Sequence, residues 1–339
     1  MRRPTIIDIA RAAGVSKGAV SAALNGRPGV SATTRTRILQ LAGQLGWAPS
    51  SAARALSDGR AGAIGLVIDR PALALGVETF FMRFIAGIQE ELAEGETALM
   101  LQSVDGTSPE LATYKRWYAE RRVDGVLLVD LRRDDPRVDA LTEMGLPAVI
   151  VGGPEGVGGL PCVWSDDGGC MRRAVEHLAG LGHRRIGRVA GPEDLVHTGA
   201  RTAALVESAY EHGLQPPPVV HTDYTGESGA QATRELLSGP EPPSALVYDN
   251  DLMAVAGLGA AQELGVTVPD RLSVVAWDDS PLCQVVRPAL TAIRRDLPEH
   301  GRLAASLLLD SVAGGSARHV PVSPGELVVR GSTAPALEG

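Results

Sequence analysis

Two patterns of apolar and polar positions divide this chain. The first stretch places Ile6, Ile9, Ala10, Val20, Leu24, Ile38, Leu41 and Leu45 at helical spacing among polar neighbours. Thr5 followed by Asp8 forms a capping box for a helix over Ile6 to Ala13, whose apolar face is Ile6, Ile9, Ala10 and Ala13. Gly14 ends that helix, Gly14-Val15 turns the chain, and Ser16 caps a second helix to about Leu24, closed by Asn25-Gly26. Ser31 caps a third helix to about Gly46, which carries Arg35 and Arg37 and packs Ile38, Leu41 and Leu45 against the other two. In a helix-turn-helix the first turn of the second helix lies nearest the base edges. Here that turn holds Lys17 and Gly18, with Ser21 and Ala22 one turn further on. Gly18 weakens the helix, and with Ala19 and Ala22 it allows close backbone approach to DNA. The later segment Ser50 to Ser57 is capped but too short to hold as an isolated helix.

From Gly62 onward, buried apolar runs alternate with amphipathic stretches. The runs Ile64 to Ile68, Ala98 to Gln102, Gly125 to Val129 and Ala148 to Val151 enclose helices about Phe80 to Glu94 and Pro109 to Arg121. A second set places helices at about Gly169 to Leu181, Thr202 to His212 and Leu252 to Leu264. Its strands are Ile186 to Ala190, Ala245 to Tyr248 and Ser273 to Ala276, and a last strand is expected at Leu327 to Arg330. This predicts two Rossmann-like α/β lobes with parallel sheets, able to clasp a small molecule beyond the carboxyl ends of their strands. The expected boundaries are a head over 1–48, a hinge over 49–60 and a body over 61–335. Within the body one lobe takes about 61–160 plus 293–321, and the other about 161–292 plus 322–335.

Charge sharpens the division. The first sixty residues hold nine Lys or Arg against Asp8 and Asp58, a net +7 ahead of a remainder at −15 in a chain totalling −8. A folded basic head on an acidic body fits a nucleic-acid module joined to a soluble domain. At 339 residues, with 44% hydrophobic and 21% charged, the chain buries a sizeable core. No apolar run is long enough for a membrane span, and the start MRRPTIID lacks the apolar stretch of a secretory leader, so a cytoplasmic protein without membrane contact is expected. Cys162, Cys170 and Cys283 show no ligand spacing and are expected as buried small hydrophobes; neither a metal nor a cofactor is expected.

The run TIIDIARAAGVSKGAVSAALNGRPGVSATTRTRILQLAGQLGWAPSSAARALSDGRAGAIGLVI resembles the head of the LacI/GalR repressors. VDGVLLVD, VEHLAGLGHRRIGRVAGP, YDNDLMAVAG and VPDRLSVVAWDDSPLCQVVRPALTAI resemble landmarks of the family's periplasmic-binding-protein-like core, so the resemblance spans nearly the whole chain. It implies a regulator that binds double-stranded operator DNA as a homodimer and whose affinity a small-molecule effector controls. In the head, DNA contact is implied for Thr5, Ser16, Lys17, Gly18, Ser21, Ala22, Asn25 and Ser31. In the hinge it is implied for Ala53, Arg54 and Leu56, with Leu56 as an apolar wedge in the minor groove. In the body, Arg201, Asn250 and Asp278 fall where sugar-responsive members hydrogen-bond the effector. Tyr224 falls where an aromatic ring often stacks on it, and Phe81 and Trp164 fall on cleft-facing positions. Other readings stand beside these: a buried structural ion pair for Arg201 and Asp278, and core or capping roles for the rest. Asp251 and Asp279 are weaker candidates. Ala19 and Ala22 depart from the family's usual Thr and larger base-reading side chain, which leaves the operator open. Gly152 and the loop Asp69-Arg70-Pro71-Ala72 depart from its usual cleft, which leaves the effector open.

Competing functions lack their motifs. Gly62-Ala63-Ile64-Gly65 leads into a strand rather than out of one, Gly257-Leu258-Gly259 has no third glycine, and no P-loop, nucleophile elbow or H-E-x-x-H pair occurs, so no enzyme is expected. His177 and His197 are scattered, and His183 is expected to end its helix by satisfying late carbonyls. A secreted sugar-binding protein would share the body but not the basic head, and a nucleoside- or purine-responsive regulator of the same family is the other alternative. No apolar heptad follows the last expected strand, which favours a dimer over a coiled-coil tetramer.

Overall fold

The computed structural model describes residues 4–47, 59–71 and 76–337, which fall into two compact units, Met1–Ala61 and Gly62–Gly339. The first unit is a three-helix domain: α1 (Ile6–Ala13), α2 (Lys17–Leu24) and α3 (Ala32–Gln44). Local chemistry sets each start. The Asp8 carboxylate accepts the Thr5 backbone N–H at 2.8 Å, Ser16 Oγ accepts from Ala19 N–H at 3.1 Å, and Ser31 Oγ accepts from Thr34 N–H at 3.2 Å. Gly14 ends α1 at φ 65°, a left-handed conformation that costs glycine nothing. Ile9, Val20 and Ile38 are fully buried at the centre, with Leu41 packed beside them. Leu45, expected in this core, is instead exposed, because α3 ends at Gln44 and the chain leaves the inner face. Ala42 and Trp47 close the core there.

The second unit contains two six-stranded sheets. The first lobe runs β1 (Ala63–Asp69), α4 (Thr79–Leu92), β2 (Ala98–Val104), α5 (Thr107–Ala119), β3 (Gly125–Leu128), α6 (Pro136–Met144), β4 (Ala148–Val151) and β5 (Cys162–Trp164). The chain then crosses into α7 (Asp167–Gly180), β6 (Ile186–Ala190), α8 (Val196–Glu211), β7 (Val219–His221), α9 (Gly226–Ser238) and β8 (Ala245–Tyr248). It continues through α10 (Asp251–Glu263), β9 (Ser273–Trp277), α11 (Pro281–Val285) and β10 (Thr291–Arg294). It returns for α12 (Leu297–Val312) and β11 (His319–Pro321), and crosses once more to β12 (Glu326–Val328). The first sheet has order β11-β5-β4-β3-β1-β2, parallel throughout; the second has order β12-β10-β9-β8-β6-β7, parallel except between β10 and β12.

Central strands such as Ile64 to Ile68 are buried on both faces, as parallel sheets covered by helices require. On the first lobe, α12 meets α4 backbone to backbone. A Cβ at Gly301 would lie 2.0 Å from the Phe84 carbonyl oxygen, and one at Gly87 would lie 1.9 Å from that of Pro298, so only glycine allows this contact. The approach locks the start of α12 beside the middle of α4. Cys162, Cys170 and Cys283 are buried thiols. No helix among the described residues is long and apolar enough to cross a membrane.

Several boundaries differ from the sequence reading. Strand β5 belongs to the first sheet and Thr291–Arg294 to the second, so the crossings fall later than 161 and 293. Helix α8 begins at Val196, ahead of the expected Thr202, and α6, α9, α11 and α12 were not assigned from the apolar pattern. His183 does not satisfy helix-end carbonyls with its ring. It is buried, with Nδ1 2.8 Å from Ser244 Oγ and Nε2 2.9 Å from Ser273 Oγ, and so ties two strand starts together.

Candidate functional site

Beyond the carboxyl ends of the strands the two lobes enclose a cleft of about 680 Å³, its open mouth included. Six strands deliver lining residues just past their ends: Arg70 after β1, Asp130 after β3, Gly152 after β4, Ser165 after β5, Asp249 and Asn250 after β8, and Asp278 after β9. This is where an open parallel sheet leaves backbone and side chains free to meet a ligand. Cross-lobe bonds frame the cleft. Thr79 Oγ1 donates to Asp251 Oδ2 at 3.0 Å and Arg83 Nη1 to the Asp278 carbonyl at 2.8 Å. On another edge, Arg133 N–H reaches the Asp194 carbonyl at 2.9 Å, and Arg132 pairs with both Asp69 and Asp194.

The second lobe contributes a lattice of paired charges. Arg188 forks onto both oxygens of Asp249 at 3.0 and 2.6 Å, all of it buried. Arg201 donates through Nε and Nη2 to Asp167 Oδ1 at 2.8 and 2.6 Å, lies 3.7 Å from Asp249 Oδ1, and stacks on Trp277 with its guanidinium carbon 4.2 Å from the ring centroid. Arg295 Nε donates to Asp278 Oδ1 at 2.7 Å. Burial opposes ionisation of Asp167, but Arg201 and Arg295 outweigh it and hold the carboxyl well below the usual carboxylate range. Fork geometry and stacking are what arginine supplies and lysine does not.

Tyr224 and Asp278 occupy left-handed backbone, at φ 70° and 76°. That conformation costs a non-glycine residue on the order of 1 kcal/mol or more and concentrates at ligand sites. The ring of Tyr224 lies where a Cβ on Gly191 would sit, its hydroxyl is 2.7 Å from His197 Nε2, and the Arg70 guanidinium carbon is 5.2 Å from its centroid. Burial pushes the Tyr224 phenol up, with Asp249 adding to it.

The first lobe is less tightly paired. Arg70 bridges Asp130 at 2.9 Å and Glu78 at 3.4 Å. Burial pushes the Glu78 carboxyl up to about 7, against the opposing pull of Arg70 and with help from Asp130 and Asp278. Phe80 offers a half-buried ring to the cleft, stacked on Phe84 at 6.1 Å, while Phe81 is 1% exposed and reaches down into the core. Among the described residues no cluster of His, Cys, Asp or Glu has the arrangement of a metal site.

In the three-helix domain, Ser16, Lys17, Gly18, Asn25 and Ser31 are exposed, and Thr5, Ser21 and Ala22 are half-buried. Among the described residues outside its own helix backbone and chain neighbours, only Ser16 Oγ comes within 4 Å of a Cβ built at Gly18, which leaves room for close approach at the start of α2. Arg35 Nη2 donates to the Arg27 carbonyl at 2.6 Å and braces the loop after α2.

Residues 5–50 match the family described as bacterial regulatory proteins, lacI family, and residues 175–333 match the periplasmic binding protein-like domain. The transcriptional regulator MalR of Streptomyces coelicolor is 35% identical over 344 residues, covering 98% of this chain and 97% of that protein. The chain belongs to the LacI family. It is a DNA-binding transcriptional regulator with a helix-turn-helix head and a two-lobed body. Among solved structures of LacI-type regulators, a CelR–cellobiose complex is 32% identical with a TM-score of 0.75, covering 97% of this chain and all of that one. The lac repressor dimer bound to operator and an anti-inducer is 26% identical with a TM-score of 0.85, covering 98% of this chain and all of that one.

Of the six body residues singled out from this LacI-family sequence, Phe81, Arg201, Tyr224, Asn250 and Asp278 line the cleft. Trp164 does not. At the end of β5 it packs against the core around Tyr114 and Trp117, and its neighbour Ser165 faces the cleft instead. Asn250 also caps α10, its Oδ1 accepting from Met253 N–H at 2.8 Å while Nδ2 donates to the Tyr224 carbonyl at 3.0 Å. Asp279 is held by Arg294 and Arg330 away from the lining. Arg201 and Asp278 are not each other's partner; each pairs with a residue the sequence reading passed over, Asp167 and Arg295. Glu78, Asp130, His197 and Asp249 were missed as well. Asp249 adjoins Asn250 in YDND and Asp167 opens a glycine-rich helix, so acids at a strand end or helix start were the available clue. Ala53, Arg54 and Leu56 lie outside the described residues.

Proposed function

We propose that this regulator is a cytoplasmic repressor that binds a near-palindromic operator as a homodimer and releases it when a sugar or sugar derivative occupies the cleft. The observation that carries the effector reading is the lining itself. Arginine forks, carboxylates and aromatic faces converge on one cleft at the strand ends, the chemistry that recognises hydroxyls and the C–H face of a ring. The structure of the related CelR with cellobiose supports a sugar as the class. Within this reading Arg201 and Asp278 orient the sugar, Phe80 and Tyr224 supply apolar faces, and Asn250 and Phe81 shape the floor. Lys17, Gly18, Ser21 and Ala22 approach base edges. Thr5, Ser16, Asn25 and Ser31 meet the backbone. Ala53, Arg54 and Leu56 would form the hinge, with Leu56 wedged into the minor groove of bent DNA.

A binding assay on a duplex from the protein's own promoter tests the DNA reading. Affinity should fall steeply between about 50 and 200 mM salt, and Leu56→Ala should weaken operator binding while leaving sugar affinity intact. Equal affinity for promoter and random duplex would remove the repressor reading, and unchanged operator affinity in L56A would remove the hinge. A thermal-shift screen of sugars, sugar phosphates and nucleosides tests the effector, since a ligand that binds only the folded state raises the melting temperature by mass action. A shift with nucleosides alone would replace the sugar reading.

A further inference from the structure

In the lining of the cleft, His300 stands on the first turn of α12, 4% exposed and near Arg295. Its Nδ1 lies 2.7 Å from the Asp296 carbonyl oxygen. A carbonyl can only accept, so Nδ1 carries the proton. Burial, and then the nearby Arg295, lower the ring's affinity for a second proton and keep the imidazole neutral. Nε2 is therefore an unprotonated acceptor. It has no hydrogen-bond partner among the described residues and is buried from solvent. A buried acceptor left unpaired costs on the order of 1–3 kcal/mol, which a donor from a ligand would recover. The bond to Asp296 holds the ring, and the turn that carries it is itself fixed. The backbone contact of Gly301 with Phe84 and of Gly87 with Pro298 fixes the first turn of α12 against α4.

We infer that His300 is a further specificity-determining residue of the cleft, whose Nε2 accepts a hydrogen bond from a hydroxyl or amino group of the effector. This rests on the cleft being the effector site. It narrows the effector to molecules that present a hydrogen-bond donor at this position. A group that only accepts, such as a carboxylate, a phosphate ester oxygen or a methyl ether, would face the Nε2 lone pair and be rejected there.

The test uses the full chain and isothermal titration with glucose, cellobiose, maltose and trehalose. For the sugar the wild type binds, His300→Leu should weaken binding about tenfold, the worth of one hydrogen bond in a dry site, and His300→Gln, which restores an acceptor, should stay within about threefold. A second readout leaves the residue in place. In the ¹⁵N spectrum of the wild type, His300 Nε2 should resonate as an unprotonated nitrogen and shift toward the hydrogen-bonded position when that sugar saturates the protein. H300L within about twofold of the wild type overturns the assignment. So does an Nε2 resonance that the sugar leaves unmoved, and this arm decides alone if H300L fails to fold. Absence of binding by the wild type to all four sugars would overturn the sugar reading itself, and the assignment with it.

Discussion

The head and the cleft use polar residues in opposite ways. In the head, Ser16, Lys17 and Asn25 are exposed, and the hydrogen bonds that hold the helix starts come from residues three positions away. In the cleft, Arg201, Asp167, Asp249 and Asp278 are nearly fully buried, with charge partners from 17 to 61 residues distant. On the proposed reading Lys17 would meet DNA without disturbing the head's own fold, whereas the cleft residues would support the lobe and meet the ligand with the same atoms. Exposed charges contribute little to stability, but a buried charge that loses its partner is costly.

The contrast can be broken first at Arg201. Replacing it with Ala should leave Asp167 buried without its fork and cost about 3–5 kcal/mol in denaturant unfolding of the body. A loss below about 1 kcal/mol would mean that water screens this pair and that the lattice does not support the lobe. Glu78 offers a second, pH-dependent handle. Its pKa is about 7 in the folded chain against an ordinary 4.5, so between these values the folded protein keeps a proton that the unfolded chain has released. Stability from this group is full below about pH 4.5 and is lost as the pH rises toward 7. Glu78→Gln should therefore gain on the wild type by on the order of 1–3 kcal/mol across that window, a comparison that cancels the buried histidines, which respond with the opposite sign. A difference flat with pH would contradict the raised pKa.

Head substitutions should have smaller effects. Ser16→Ala removes the cap of α2 and should cost the head about 1 kcal/mol in thermal unfolding. Lys17→Ala should leave stability within about 0.5 kcal/mol while lowering operator affinity and relaxing the preference for operator over random duplex. A Lys17→Ala variant that unfolds readily but binds DNA normally would reverse the contrast between the two regions.

The same contrast explains what the sequence revealed. Caps and turns act over three or four residues, so Thr5, Gly14, Ser16 and Ser31 could be read directly, and the core failed only at Leu45, where the helix had already ended. Strands buried on both faces stood out as apolar runs. Helices such as α6 and α11 did not, because they are short, nine and five residues, and open on proline. In the cleft, single residues were legible through resemblance, but their pairing was not. Nothing local joins Arg201 to Asp167 or Asp278 to Arg295, and Trp164 faces the core because β5 sits inside the first sheet. Arg70 lay in a loop whose departure from the family pattern was plain, although its bridge to Asp130 and Glu78 needed the fold to appear.

The central claim is that occupancy of the cleft changes the grip of the head on DNA. It is tested most directly by fluorescence anisotropy of the full chain on a labelled promoter duplex, at fixed salt, with and without a saturating sugar, for the wild type and Asp278→Ala. The account predicts a loss of operator affinity of about 5- to 150-fold on adding sugar to the wild type and no change in D278A, whose sugar-free affinity stays normal. Operator affinity that is identical with and without a sugar shown to bind the wild type would contradict it.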